Sequence, residues 1–238
     1  MIRGTDEVQS YTSTSTNLAV SAAGNLLIRP QNQQGHWTSG RVETTPDHDF
    51  ACLAGQKLRI EGKIKLGDAP EGAQQGIWPA FWSLGSKYRG NYNNWPAVGE
   101  IDILETANGA SKAWHTVHCG TLNGGPCEET TGIFATSPLT RGEWHTVAVE
   151  IDRTSDDWRA ETISWFVDNV RTGQVSGTRV GDPDAWASLA HAKRFLLLNV
   201  AVGGAFPDAV ARTTTPTAGT EGGDGAAMEV EYVAVYST

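Results

Sequence analysis

The chain is poor in sulfur and in positive charge. Three Cys and two Met occur in 238 residues, and 18 Lys and Arg stand against 27 Asp and Glu, for a formal net charge of -9. No run of Lys or Arg breaks this balance, which excludes nucleic acid and anionic membrane surfaces as partners. No apolar stretch is long enough to cross a bilayer. Long helical periodicity is missing, which argues against bundles and α/β folds. Met1-Ile2-Arg3-Gly4 opens straight into polar sequence without the features of a signal peptide, so a mature or trimmed form is expected. There is no Asn-x-Ser/Thr acceptor, no Gly-rich phosphate loop and no nucleophile-elbow serine.

The few cysteines are unevenly placed. Cys119 and Cys127 flank the turn-rich Gly120-Thr121-Leu122-Asn123-Gly124-Gly125-Pro126. They are expected to close a small loop disulfide, the mark of an oxidising compartment, the alternative being two reduced core thiols. Cys52, among Phe50, Ala51 and Leu53, reads as a buried inert thiol.

Present in quantity are 27 Gly and nine Trp, with 39% hydrophobic residues. Short β-like segments recur between turns. They fall at Leu26-Leu27-Ile28, Lys57 to Leu66, Gly76 to Leu84, Val98 to Leu104, Trp114 to Cys119, Trp144 to Ile151, Ile163 to Val167, Phe195 to Val202 and Met228 to Tyr236. Phe195 to Val202 is continuously apolar and is expected to be covered on both faces. A short helix is expected at Pro183 to Ala192, capped by Asp182. Residues 211–226 are the most loop-like stretch. With no linker and no internal repeat, the pattern predicts an all-β sandwich in one domain spanning residues 1–238.

The acids carry the chemistry. Gly99-Glu100-Ile101-Asp102-Ile103-Leu104-Glu105 places three carboxylates in six residues, separated by Ile and Leu. On a regular strand Glu100 and Asp102 share a face and Glu105 points away. One extra residue inside the strand, a β-bulge, returns Glu105 to their face. Acids so crowded are costly unless used. Two carboxylates about 5–5.5 Å apart are what retaining glycoside hydrolysis requires. Asp102, between the long-armed Glu100 and Glu105, can share a proton with Glu100 and keep the pair in different protonation states. A solvated edge strand and a calcium loop are the bland readings; Ile101, Ile103 and Leu104 argue against the loop, and catalysis is favoured over both.

Aromatics and a histidine surround this stretch in sequence. Gly76-Ile77-Trp78-Pro79-Ala80-Phe81-Trp82 puts Trp78, Ala80 and Trp82 on one strand face, and Asn94-Trp95-Pro96 precedes the acids. Sugar rings stack their apolar faces on Trp, so a row of Trp beside paired acids suits a glycan cleft, although a single Trp is more often core. Trp144, Trp165 and Trp186 read as core or surface. In Trp114-His115-Thr116-Val117-His118, Trp114, Thr116 and His118 share a face with His115 opposite. His118 reads either as orienting a carboxylate or as a satisfied structural histidine. No third ligand at zinc spacing accompanies the histidines, so no metal and no cofactor is expected.

Glu100-Ile101-Asp102-Ile103-Leu104-Glu105 resembles the bulged signature of glycoside hydrolase family 16, the laminarinase and endo-1,3(4)-β-glucanase group. Tyr11-Thr12 and Trp37-Thr38-Ser39-Gly40-Arg41 resemble its amino-terminal strands. The Trp78 segment, Asn199-Val200-Ala201-Val202-Gly203-Gly204 and the last strand also fit, so the resemblance spans nearly the whole chain. His118-Cys119-Gly120 to Gly125-Pro126-Cys127 resembles the fungal secreted branch.

The resemblance implies a β-jelly-roll sandwich of two curved antiparallel sheets, of the concanavalin A-like lectin/glucanase kind, with a substrate cleft on the concave face. It implies endo-acting hydrolysis with retention: Glu100 the nucleophile, Glu105 the acid/base and Asp102 the helper. It places Trp78, Trp82, Trp95, Arg41, His118 and Asn199 along the cleft. The substrate would be a β-1,3 or mixed β-1,3/1,4 glucan or a related neutral polysaccharide, met outside the cell by a monomer. A β-1,3-galactan, transglycosylation and a non-catalytic lectin-like module are the alternatives. Family members usually begin with a further strand that has no counterpart before Tyr11, which would leave a sheet edge exposed. Their convex-face calcium site uses that region and an acid on the final strand, for which Glu231 is the candidate, so bound calcium is not expected.

Overall fold

The computed structural model describes residues 5–238. The strands in chain order begin with β1 (Ser10–Tyr11), β2 (Leu18–Val20), β3 (Leu26–Ile28), β4 (Gln31–Gln33), β5 (His36–Ser39) and β6 (Arg41–Glu43). There follow β7 (Lys57–Leu66), β8 (Ile77–Gly85), β9 (Glu100–Glu105), β10 (Lys112–His118), β11 (Ile133–Pro138) and β12 (Trp144–Asp152). The chain closes with β13 (Thr162–Val167), β14 (Val170–Ser176), α1 (Gly177–Val180), α2 (Pro183–Ala190), β15 (Arg194–Val202), α3 (Ala205–Ala211) and β16 (Met228–Ser237).

One antiparallel sheet has the order β11, β10, β9, β8, β15, β6, and the other β14, β13, β12, β7, β16, β3, β2. A small third sheet sets β1 parallel to β5, with β4 beyond. The two large sheets stack into the expected jelly-roll sandwich. Strand β7 shows why: in Lys-Leu-Arg-Ile-Glu-Gly-Lys-Ile-Lys-Leu every second residue is buried, so Leu58, Ile60, Ile64 and Leu66 line the core while the charged residues face out. Gly62 lets the sheets approach, because a Cβ there would stand 3.0 Å from the Phe81 ring of β8.

Strand β15 is buried along its whole length, as its unbroken apolar run predicts. Leu196, Leu198 and Val200 enter the main core. Phe195 and Leu197 turn the other way and join Leu84 and Val98 in a second apolar cluster, against which Trp82, Tyr88 and Trp95 pack. That cluster forms a firm floor beside the acids. Helix α2 starts at Pro183, and the Asp182 carboxylate accepts from the Ala185 amide at 2.8 Å, the expected cap. Cys119 and Cys127 are disulfide-bonded, and Cys52 is a buried free thiol whose pKa burial pushes up to about 11.

Candidate active site

The acid strand β9 lies inside its sheet, between β8 and β10. Against β8, Leu104 faces Phe81 and Asp102 faces Trp82, which leaves Ile103 without a partner. Against β10, Glu105 faces Trp114 and Asp102 faces Thr116, so His115 alone spans both Ile103 and Leu104. This is the bulge the spacing of the acids demands. Ile101, Ile103 and Leu104 all enter the core, while Glu100, Asp102 and Glu105 come to one face.

Buried polar contacts fix the bulge. The His115 ring donates from Nδ1 to the Ile103 carbonyl at 2.8 Å and accepts at Nε2 from the Ser137 hydroxyl at 3.0 Å. Burial pushes the His115 pKa down, which suits a neutral ring with one donor and one acceptor. The ring stacks on Trp165 of the opposite sheet at 6.2 Å, and the Trp165 indole donates to the Asp102 carbonyl at 2.9 Å. Thus the carbonyls of Asp102 and Ile103, at the bulge, each accept a hydrogen bond from a buried side chain.

Two indoles hold the terminal acids. Trp78 donates to Glu105 Oε1 at 2.8 Å, and Trp95 donates to Glu100 Oε2 at 3.2 Å. His118 lies beside Asp102, Nε2 to Oδ2 3.5 Å, and its ring centroid is 5.5 Å from that of Trp95. Trp82 points its indole instead to Asn199 Oδ1 at 2.7 Å, and Asn199 Nδ2 donates to the Tyr11 hydroxyl at 3.2 Å. The Arg41 guanidinium sits over the Trp82 ring at 5.0 Å. Phe206 of α3 joins Trp78 and Trp114 edge-on, at 5.4 and 5.3 Å, and extends the aromatic wall on the Glu105 side.

All nine residues expected from sequence therefore meet on one sheet face and its rim. Asn199 is committed to Trp82 and Tyr11, so it shapes the wall through another side chain. The sequence reading missed His115, Ser137 and Trp165 beneath the bulge, Phe206 on the wall, and Glu129, whose carboxylate meets the far side of the His118 ring at 2.8 Å. Only the alternation placing His115 opposite His118 hinted at any of them. Glu231, the candidate calcium ligand, is paired with Lys63 at 2.7 Å.

Burial drives all three site carboxyls toward the protonated form. Glu100 is pushed up to about 7 by burial, with the fields of Glu105 and Glu129 adding to it and those of His118 and the Trp95 hydrogen bond opposing it. Asp102 is raised well above the usual range by burial and by Glu105, Glu100 and Glu129. Glu105 is raised by burial, with Trp78 and His118 holding it back. Asp102 Oδ2 is buried without a hydrogen-bond partner. Glu100, Asp102 and His118 each offer one ligand atom within 4.8 Å of the others. The raised carboxyls fit a cluster that shares protons.

A jelly-roll sandwich carrying paired acids of shifted pKa between indoles defines a carbohydrate-active enzyme. Comparison with known proteins makes the class specific. The description "XgeA-like, catalytic GH16 domain" matches residues 64–140. The solved endo-1,3-β-glucanase from Streptomyces sioyaensis is 42% identical, with a TM-score of 0.92 over 99% of this chain and 83% of that one. The laminarinase from Rhodothermus marinus is 25% identical, with a TM-score of 0.73 over 98% and 85%. A β-glucanase from the same organism is 30% identical over 209 residues, 85% of this chain and 67% of its own length. The chain belongs to glycoside hydrolase family 16 and is a glycoside hydrolase. It spans only 49% and 30% of two longer curated relatives. Three probable endo-1,3(4)-β-glucanases from Aspergillus species match 37%, 53% and 42% of the chain.

Proposed function

We propose that residues 1–238 form one catalytic domain that cuts β-1,3-linked glucan within the polymer, with retention at the anomeric carbon. The observation that carries this reading is the bulge, which sets Glu100 and Glu105 on one face, each held by its own indole. The likeness to an endo-1,3-β-glucanase at 42% identity supports the β-1,3 linkage. The disulfide supports action in an oxidising, extracellular setting.

In the first step Glu105 gives its proton to the glycosidic oxygen as the bond from that oxygen to the anomeric carbon breaks. The Glu100 carboxylate forms a bond to the same carbon from the opposite face. In the second step water loses a proton to Glu105 and attacks the anomeric carbon, and Glu100 leaves as carboxylate. Asp102 holds a proton between them, so its charge does not oppose the ionisation of Glu100. Trp82, Trp95 and His118 flank the Glu100 side; Trp78, Trp114 and Phe206 flank the Glu105 side, and sugar rings stack along both.

The test is reducing-end release from laminarin, barley mixed-linkage glucan and β-1,3-galactan, with Glu100→Gln as control. Glu100→Gln removes the nucleophile's charge with little change in shape, so turnover is expected to fall at least about 10³-fold while laminarin binding persists. Retained turnover overturns the assignment of Glu100. Release from galactan alone overturns the glucan reading, and longer oligomers from short donors would show transfer in place of hydrolysis.

A further inference from the structure

Glu129 is a fully buried carboxylate outside the acid strand. Its side chain is wholly inaccessible to solvent. One oxygen accepts from His118 Nδ1 at 2.8 Å and the other from the Cys119 amide at 2.9 Å. It lies two residues beyond Cys127, just outside the loop that the Cys119–Cys127 disulfide closes. Backbone hydrogen bonds in both directions between Glu129 and Gly124 brace that loop. Glu128 next to it pairs with Arg179 of α1. Gly132 completes the seat: with φ near +75° it has no Cβ, and one there would stand 2.8 Å from the His118 ring.

The charged groups facing His118 are Glu100, Asp102 and Glu105 on β9 and Glu129 just outside the loop. The imidazole is thus hydrogen-bonded to Glu129 on one side and faces Asp102 on the other, 3.5 Å away, next to Glu100. A buried carboxylate behind an imidazole fixes which nitrogen carries a proton and stabilises the charged ring. We propose that Glu129 is a positioning residue for hydrolysis: it holds His118 as a cation over the acid strand, and that cation keeps Glu100 ionised for attack. This rests on the reading of Glu100 as the nucleophile.

Burial opposes charge on His118, but the hydrogen bond to Glu129 and the fields of Glu100, Glu129 and Glu105 outweigh it and raise its pKa. At Glu100 the field of His118 exceeds the opposing field of Glu129. Loss of the Glu129 charge therefore acts on Glu100 mainly through the ring, and the ionisation of Glu100 should move to higher pH.

Imidazole NMR of the whole domain, with kcat/KM against pH on laminarin, tests this. In the natural protein His118 should titrate above 6.5, with its Nδ1 protonated across that range. In Glu129→Gln the side-chain carbonyl still accepts from the Cys119 amide, which preserves the loop. There the His118 pKa should fall by about one unit, and the acid limb of kcat/KM should rise by a comparable amount. Glu129→Asp should recover part of both shifts. A His118 pKa unchanged in Glu129→Gln, or an acid limb that stays or moves down, overturns the proposal. If Glu129→Gln fails to fold, the natural protein alone decides: a His118 titrating at or below 6.5 contradicts it. Turnover surviving in Glu100→Gln would instead overturn the catalytic reading, so the two failures are distinguishable.

Discussion

At the residue scale the site is built in two tiers. The residues on the cleft face were legible in sequence, because acids and indoles at strand spacing have few reasons to sit together. The residues underneath were not. His115, Ser137 and Trp165 are ordinary core or surface types, and their contacts join residues 12 to 63 positions apart. Their part is to hydrogen-bond the Asp102 and Ile103 carbonyls at the bulge, directly or through His115. His115→Phe keeps the stacking on Trp165 but cannot donate to Ile103 or accept from Ser137. It is expected to cost about 1–3 kcal/mol by denaturant unfolding, from buried groups left unpaired. It should also lower kcat more than it raises KM, since Asp102 and Glu105 sit on either side of that carbonyl. A variant with natural stability and kcat would show that the bulge holds without the ring.

At the scale of elements, the bulge and the disulfide loop carry the function. Deleting Ile103 removes the extra residue and restores strict alternation, which turns Glu105 toward the core or slips the strand register. Activity should be lost altogether, with a lowered melting temperature; an active, stable deletion would contradict the geometry described for β9. The Cys119→Ser/Cys127→Ser double variant opens a loop with a sequence separation of 8. It is expected to lose about 2–3 kcal/mol of stability by chemical unfolding, from the chain-entropy effect of a loop this short. Among the elements missed in sequence, β11 and β14 are outermost strands of the two large sheets. Each mixes exposed polar residues with an exposed apolar one, Phe134 on β11 and Val170 on β14, so neither shows a clean hydrophobic alternation. Strand β7, buried on one face only, was legible end to end.

At the scale of the whole molecule, two groups of buried acids pull stability in opposite directions with pH. The site acids are raised in the folded state, so the fold binds more protons than the unfolded chain. Their contribution is full below the ordinary carboxyl range and is lost as pH rises, for Glu100 through about 7. Glu161 is the reverse. Burial acts to raise its pKa, but hydrogen bonds from His191, Trp186 and Arg153 outweigh it and bring it below the ordinary value, so its contribution is lost as pH falls. Those three partners tie α2 to the seven-stranded sheet. Glu100→Gln is therefore expected to be more stable than the natural protein at pH 8, by about 1–2 kcal/mol, with the advantage shrinking toward pH 5. Glu161→Gln should be destabilised by about 3 kcal/mol at pH 8, from partners left uncompensated. Thermal melts across pH check both, and equal pH dependence in the two variants would contradict the assignment of charge. The sandwich itself was legible from the spacing of strands and the lack of helical period. The pairing order, which carries β15 back beside β8, was not, because local sequence does not encode which distant strand a segment joins.

The central claim is that Glu100 forms a bond to the sugar. Incubation with a 2-deoxy-2-fluoro laminaribiosyl donor bearing a good leaving group, followed by peptide mass spectrometry, tests it directly. A glycosyl adduct on the peptide carrying Glu100, with its mass gain on Glu100 itself, is the predicted result. Turnover of that donor with no adduct, or an adduct on Glu105 in its place, would contradict the account.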